Sequence, residues 1–453
     1  MSLPPLSIQS AAVLAKLSAA NRANLAIYPG DPSARQPVHT VYGGAQLFKV
    51  GVHRKLGGLA LRTMDAYAAD ARSFADALGL DAAFADVIYE RVREKLGREA
   101  IEDQRIDFED GYGHRRDDEE DADAIAAGSA LADAMAVADL PPFIGIRIKP
   151  FTEESVQRSV RTLDLFMTAL SQKSGGAVPT PFLVTLPKVT HAGQVEALVA
   201  LLDALEAGLG IAHGAVQIDL MIETTQSVIG EDGVIAVPAL VAAGGGRVVS
   251  CAFGTYDYTA TCNITAAHQT HDHPACDFAR HIMQVSLAGR GVTMCDGATT
   301  VMPIGPHRAA KGAALSAEAS AENQRVVHDA WRLHYNNIRH SLRHGIYQGW
   351  DLNPGQLPVR YAAVYVFFLE GLADASLRLD KFVAAASQAT LVGNTFDDAA
   401  TGQGLLNYFL RGLACGALTE QEVLATGITV EELRGRSFAR IVGNRAHKKR
   451  VEG

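Results

Sequence analysis

Charged side chains stand at the ends of several short apolar runs in this sequence. They are Glu109-Asp110, Arg147 with Lys149, Lys188, Glu223 and Asp257. An ionisable group at the end of a buried run costs desolvation energy unless it pairs with an opposite charge or binds an ion. These residues are therefore the first candidates for binding and catalysis.

Two of the carboxylates are spaced so that they could share one cation. Glu223 and Asp257 end consecutive runs, and neighbouring strands of a sheet lie about 4.8 Å apart. Alternation with a period of two along residues 218–223 directs Glu223 inward, and the same alternation directs Arg147 inward. Two oxygen ligands, with the other positions left to water and substrate, describe a site for Mg²⁺ or for Mn²⁺.

The same spacing also allows a structural explanation. Glu223 and Asp257 could each pair with Arg147, Lys149 or Lys188 in a network of ion pairs. Spacing alone leaves both alternatives open.

Three histidines follow Asp257, at His268, His271 and His273. The spacing His-x-x-His-x-His could ligate a transition metal. The favoured alternative is a polar lid of solvated histidines, from which His268 is a candidate to contact a substrate.

Eight short apolar runs alternate with helix-length segments rich in Ala and Leu, and this alternation indicates a mainly parallel sheet. Eight strands predict an α/β fold of the TIM type, a (β/α)8 barrel, in which the carboxyl ends of the strands form the active face. The runs are Val38–Phe48, Arg105–Asp110, Phe143–Lys149, Phe182–Val189, Gln217–Thr224, Val248–Tyr256, Gly291–Met302 and Tyr347–Asn353.

The domain organisation follows from where the strand pattern begins and ends. We predict an N-terminal helical extension over residues 1–36, the barrel over 37–358 and a C-terminal helical domain over 359–453, where no further strand pattern appears. Asp351, just before Asn353-Pro354, is predicted to form a turn.

The composition excludes several classes of function. The chain has 453 residues, 48% of them hydrophobic, and a formal charge of −9. Its one long basic run is Arg445–Arg450, so nucleic-acid binding is not expected. Five cysteines without a Cys-x-x-Cys pair indicate a reducing compartment. No apolar stretch reaches about 18 residues, so no membrane span is expected and we predict a cytoplasmic protein.

The strand ends together resemble those of the citrate lyase beta-subunit family, an aldolase-like group to which malate synthase is a larger relative. The resemblance rests on motifs that occur in the same order: Arg105-Ile106-Asp107-Phe108-Glu109-Asp110-Gly111, Arg147, Leu186-Pro187-Lys188, Ile222-Glu223-Thr224, Phe253-Gly254-Thr255-Tyr256-Asp257-Tyr258 and Gly349-Trp350-Asp351-Leu352-Asn353-Pro354-Gly355-Gln356. In addition, Asp397-Asp398-Ala399-Ala400-Thr401 is similar to an acidic element of malate synthase.

This resemblance implies a Mg²⁺-dependent barrel that acts on a 2-oxo acid, with an acyl-CoA thioester as the usual second substrate. Glu223 and Asp257 would hold the metal, Arg147 would bind the oxyanion, and Asp398 would be the base unless it only caps the following helix. The residues implied in substrate binding are Glu109, Asp110, Lys149, Lys188, Gly254, Thr255 and His268.

The expected activity is the formation or cleavage of a carbon–carbon bond, as in an aldolase or a citrate lyase. The alternatives are a malate synthase-like acyltransferase, an aldolase that uses Lys149 or Lys188 as a Schiff base, and an inactive barrel that binds 2-oxo acids. The sequence leaves open which oxo acid is used and whether the chain forms a homo-oligomer.

Overall fold

Eight parallel strands close into a barrel in their order along the chain. The computed structural model describes residues 6–30, 35–310, 314–384, 390–392, 395–397, 399–426 and 429–434. Each strand pairs with the next and the first pairs with the last, so the predicted (β/α)8 barrel is confirmed. The strands are β1 His39–Gly44, β2 Asp103–Asp107, β3 Phe143–Arg147, β4 Phe182–Leu186, β5 Val216–Ile222, β6 Val248–Phe253, β7 Thr293–Ala298 and β8 Gln348–Asp351.

Helices precede the barrel and connect its strands. None of the described helices has the length and apolar character needed to cross a bilayer. The helices up to the last strand are α1 Leu6–Ile27, α2 Val52–Tyr67, α3 Ala71–Leu78, α4 Ala85–Glu99, α5 Asp117–Ala136, α6 Val156–Ser174, α7 Ala192–Leu209, α8 Thr225–Val228, α9 Val237–Ala243, α10 Thr255–Thr261, α11 Pro274–Leu287 and α12 Ala317–Arg343.

A helical region follows the last strand, as predicted. Its helices are α13 Leu357–Ala384, α14 Ala399–Ala414, α15 Glu420–Leu424 and α16 Val430–Arg434. α13 packs against α4 and α12, and the region shares one apolar core with that side of the barrel. The domain boundaries proposed at residues 36 and 358 stay predictions.

A two-stranded antiparallel sheet within this region was not predicted. It consists of β9 Thr390–Val392 and β10 Thr395–Asp397. Strands of three residues are too short for an alternating pattern to be recognised in the sequence.

Asp351 does not form the predicted turn. It is the last residue of β8, is fully buried, and accepts a hydrogen bond at 2.8 Å from Arg360 of α13. The nearby turn is capped instead by Asn353, whose side chain accepts the backbone N–H of Gly355. A buried carboxylate needs a partner, and the partner here lies on a helix that the local sequence pattern does not place.

The interior of the barrel is polar at its centre and apolar above it. Arg105 forms an ion pair with Asp103 and donates to Thr185 at 3.2 Å, and Thr185 in turn donates to Asp219 at 2.9 Å. A small apolar cluster comprises Met221, Ala252, Cys295 and the partly buried Trp350. The charged residues at the carboxyl ends of the strands therefore stand above a filled interior, and we refer to their space as the barrel mouth.

Close packing of two helices in the wall depends on a glycine. A Cβ atom on Gly128 of α5 would lie 2.3 Å from the backbone oxygen of Phe166 in α6. We expect Gly128→Ala to lower the free energy of unfolding by about 1–3 kcal/mol, because the two helices must separate. Urea denaturation measures this change.

The matched control is Gly97 of α4, which is exposed and where an added Cβ atom would have no neighbouring atom within 4 Å. Gly97→Ala should raise the free energy of unfolding by about 0.5–1 kcal/mol, since alanine favours a helix. Equal stabilisation by both substitutions would contradict the proposed close packing.

Candidate active site

Arg147 lies at the end of β3 and points into the barrel. Its guanidinium is bound by both oxygens of Asp107, at 2.7 Å from Nε and 2.5 Å from Nη2. The rings of Tyr42 and Trp350 lie 4.6 and 5.3 Å from its central carbon. Its Nη1 forms an ion pair at 2.9 Å with Glu109. Arg147 is thus held rigidly, with one edge toward the other charged residues of the mouth.

Asp107 also folds the loop that follows β2. One of its oxygens accepts the backbone N–H of Glu109 at 2.9 Å, and the other accepts that of Gly111 at 2.7 Å. A Cβ atom at Gly111 would lie 2.5 Å from Asp107, so this approach requires glycine. Asp107 was not among the residues predicted to act in binding or catalysis, although the alternation that directs Arg147 inward applies equally to β2.

Lys188, after β4, brings four carboxylates together. Its ammonium contacts Glu109, lies 3.5 Å from Asp110 and 3.8 Å from Asp257, while its backbone N–H donates to Glu223 at 2.7 Å. Burial opposes the charged form, but the surrounding acids, Glu109 first among them, outweigh burial and raise the pKa of Lys188. The lysine is therefore a stable cation in a ring of acids.

Glu223 is the most deeply buried acid of this group. Its side chain is 2% exposed. Burial, and then the charge of Asp257, raise its pKa to about 8. A Cβ atom on Gly254 would lie 2.2 Å from Glu223, so the glycine makes room for the carboxylate. Without an added cation, Glu223 is disposed to hold a proton at neutral pH.

The donor set of the mouth fits a hard divalent cation. Three carboxylates, those of Glu109, Asp110 and Asp257, lie around the ammonium of Lys188, and a fourth, that of Glu223, accepts the backbone N–H of the same lysine. The ammonium therefore stands where a cation is favoured. Among the described residues, no three ligand atoms of the mouth lie within 4.8 Å of one another. Mg²⁺ is usually held by one or two carboxylates and keeps several waters, so it would need only Glu223 and Asp257 from this group.

Besides the Glu109 oxygen that faces Arg147, two buried polar atoms of the mouth lack a hydrogen-bond partner in the described part of the chain. They are the hydroxyl oxygen of Thr255 and the indole nitrogen of Trp350. Buried polar groups are nearly always hydrogen-bonded. A ligand that reached these two atoms would satisfy them.

Two predicted substrate-binding residues lie apart from this group. Lys149 donates to the backbone oxygen of Phe108 at 2.7 Å and to Glu120 of α5 at 2.8 Å, so its ammonium is already satisfied. His268 is exposed at the end of the short turn Ala266–His268.

The other two histidines of the loop have different partners. His271 is buried between Asp296 at 3.3 Å and Ser341 at 3.1 Å. His273 caps α11 by accepting the backbone N–H of Ala275. The three histidines do not form a shared ligand set among the described residues.

Asp398, the predicted base, lies outside the residues that the structure describes.

The fold has counterparts among solved structures. A citrate lyase from Burkholderia xenovorans matches with a TM-score of 0.58 and 18% identity, covering 88% of this chain and 98% of that chain. The protein CitE from Mycobacterium tuberculosis, in complex with magnesium, acetoacetate and coenzyme A, matches with a TM-score of 0.48 and 17% identity, covering 85% and 100%. The first similarity confirms the predicted resemblance to citrate lyases at the level of the fold.

Malate synthase from Haloferax volcanii, in a ternary complex with pyruvate and acetyl-CoA, matches with a TM-score of 0.44 and 14% identity, covering 92% of this chain and 99% of that chain. The comparison with curated proteins finds no match. A family model described as "Domain of unknown function (DUF6986)" matches residues 17–441, a range that includes the whole barrel. The chain therefore belongs to the DUF6986 family.

Proposed function

We propose that this protein is a Mg²⁺-dependent enzyme that forms or cleaves a carbon–carbon bond of a 2-oxo acid. The observation that carries the proposal is the ring of four carboxylates around Lys188, three near its ammonium and one at its backbone N–H, beside the rigidly held Arg147. The ring supplies ligands for a hard cation, and the arginine supplies a donor for an anionic oxygen. An acyl-CoA thioester as second substrate rests on the motif resemblance alone.

Each residue of the mouth has a task in this proposal. Glu223 and Asp257 would hold Mg²⁺ or Mn²⁺, which when bound polarises a substrate carbonyl as a Lewis acid. Nη1 of Arg147 would donate to the substrate oxygen on which negative charge develops. Thr255 and Trp350 would bind the substrate through their unpartnered polar atoms.

Asp398 is proposed to move the proton at the reacting carbon. A general base must come within roughly 2.6–3.2 Å of the proton's heavy atom. Glu223 and Asp257 cannot take this task while they hold a metal, so the base has to come from elsewhere in the chain.

A Schiff-base mechanism has less support. A nucleophilic lysine must lose its proton, whereas the acids around Lys188 raise its pKa. Lys149 is engaged by Glu120 and a backbone oxygen. The lyase and the malate synthase-like acyltransferase would use the same metal and arginine, so substrate tests must separate them.

The proposal is tested by deuterium exchange. In D₂O with Mg²⁺, the protein should catalyse exchange at the methyl group of pyruvate or of an acyl-CoA, detected by NMR, and EDTA should stop it. Exchange into an acyl-CoA with glyoxylate bound would indicate the acyltransferase. Asp398→Asn should slow exchange by about 10²–10⁴-fold. Tight binding of 2-oxo acids without any exchange would instead favour an inactive barrel.

Metal binding should depend on Glu223 and on pH. Since its pKa is raised to about 8, Mg²⁺ must displace a proton at pH 7, and affinity should rise as the pH increases from 6 toward 9. Glu223→Gln and Asp257→Asn should weaken binding, because neutral ligands lose most of the attraction to a hard cation. Titration calorimetry in two buffers measures both affinity and proton release.

The control is Glu196→Gln, on the exposed surface of α7. It should leave Mg²⁺ affinity and its pH dependence unchanged. Unchanged Mg²⁺ binding in Glu223→Gln would remove Glu223 from the metal site.

Arg147→Lys should reduce turnover by about 10²–10³-fold, because an ammonium cannot reproduce the planar fork of a guanidinium. Steady-state kinetics with the substrate found by exchange measure the loss. Arg105→Lys is a matched control, since Arg105 is also a buried barrel arginine that pairs with an aspartate. If both variants lose activity only in proportion to their loss of stability, Arg147 has a structural role.

A further inference from the structure

A group of histidines and one aspartate lies between α11 and α12, outside the barrel. Asp277, His340 and His344 each offer one ligand atom, and these atoms all lie within 4.8 Å of one another. His281 adjoins them, with its ring centre 5.3 Å from that of His344. The proposed function makes no use of these four residues.

The spacing of these residues suits a site built from two helices. Asp277 and His281 are four residues apart on α11, and His340 and His344 are four apart at the end of α12. Residues with this spacing lie on one face of a helix, and two helical histidines so spaced can bind one metal ion. Gln284 of α11 donates to the backbone oxygen of His344 at 2.6 Å, which holds the two helices together at this point.

The hydrogen bonds of the two histidines on α12 also suit metal binding. His344 donates from Nδ1 to the backbone oxygen of His340 at 2.8 Å. This bond leaves Nε2 of His344 with a free lone pair, and metal-binding histidines are commonly oriented in this way. Nε2 of His340 lies 2.8 Å from a carboxylate oxygen of Asp277. A zinc ion, with bonds of about 2.0–2.2 Å, would fit between these two atoms after they move slightly apart.

Arg280 is the competing cation at this place. Its Nη1 lies 3.0 Å from Asp277, while its Nε donates at 2.7 Å to the buried Asp296 of β7. The guanidinium is thus shared between two carboxylates and does not fully neutralise Asp277. The hydrogen bond from Arg280 to Asp296 also attaches α11 to β7 of the barrel.

We propose that Asp277, His340 and His344 bind a zinc ion, with His281 as the fourth ligand. Imidazole nitrogen with one carboxylate oxygen is a ligand set of Zn²⁺, whereas Mg²⁺ prefers oxygen ligands throughout. The barrel mouth and this site would therefore bind different metals. With four protein ligands the zinc would be structural and would join α11 to α12.

A second cluster provides the control. Asp203, Glu206 and His213 also bring three ligand atoms together, but Arg247 forms ion pairs with both acids. Glu206 further accepts two backbone N–H groups. With its carboxylates already engaged and only one imidazole, this cluster should not retain zinc.

The test uses the full-length protein, treated with a chelator, loaded with zinc in the presence of excess Mg²⁺ and freed of unbound metal by gel filtration. Mass spectrometry of the metal content should find about one zinc per chain in the wild type and in His213→Ala, and close to none in the double variant His340→Ala/His344→Ala. Absence of zinc from the wild type, or retention of zinc by the double variant, would overturn the proposal.

Cobalt(II) in place of zinc provides a second measurement that does not depend on the double variant. The loaded wild type should show the visible absorption of tetrahedral cobalt, and His344→Gln should lose most of it. The single variant His281→Gln should alter the spectrum while cobalt stays bound. An unaltered spectrum in His281→Gln would exclude His281 as a ligand, and an unaltered spectrum in His344→Gln would exclude the site.

Discussion

The buried ion pair between Asp107 and Arg147 organises the carboxyl end of this barrel. Each oxygen of Asp107 accepts one hydrogen bond from the guanidinium and one from a backbone N–H of the loop after β2. One carboxylate thereby joins β2 to β3 and sets the position of Glu109. Loss of one partner from a buried pair leaves an uncompensated charge, which typically costs about 3–5 kcal/mol. The contact between Glu109 and Lys188 depends on this arrangement.

The balance of charge at the mouth follows from these contacts. Two cations, Arg147 and Lys188, face five carboxylates among the described residues, which are Asp107, Glu109, Asp110, Glu223 and Asp257. Asp110 and Asp257 are partly exposed, whereas Glu223 is buried and its pKa is raised, so a divalent cation would chiefly stabilise the ionised form of Glu223. The guanidinium of Arg147 packs against the rings of Tyr42 and Trp350, and its Nη1 faces Glu109. The proposed function uses both features, the carboxylates for a metal ion and Arg147 for an oxyanion.

Much of the fold and the outline of the site could be predicted from the sequence. Strand and helix periodicities are local properties, so the eight runs and the inward direction of Arg147 were visible without coordinates. Strand order in a barrel is also simple, because consecutive strands become neighbours. This predicted Glu223 and Asp257 at adjacent strand ends. Glu223 does follow β5 directly, whereas Asp257 lies in the first turn of α10. Asp351 shows the limit of local reasoning, since the pattern around it indicated a turn and its buried partner lies on α13.

What the sequence by itself determined was therefore the barrel and the set of charged residues at its mouth. Only the tertiary structure decided how those residues pair. Lys188 lies among the acids, whereas Lys149, equally well placed by sequence, turns to Glu120. Tyr42 and Trp350 meet over Arg147 only because β1 pairs with β8. The physical reason is that an ion pair depends on distances across the closed barrel, and local periodicity carries no information about those distances.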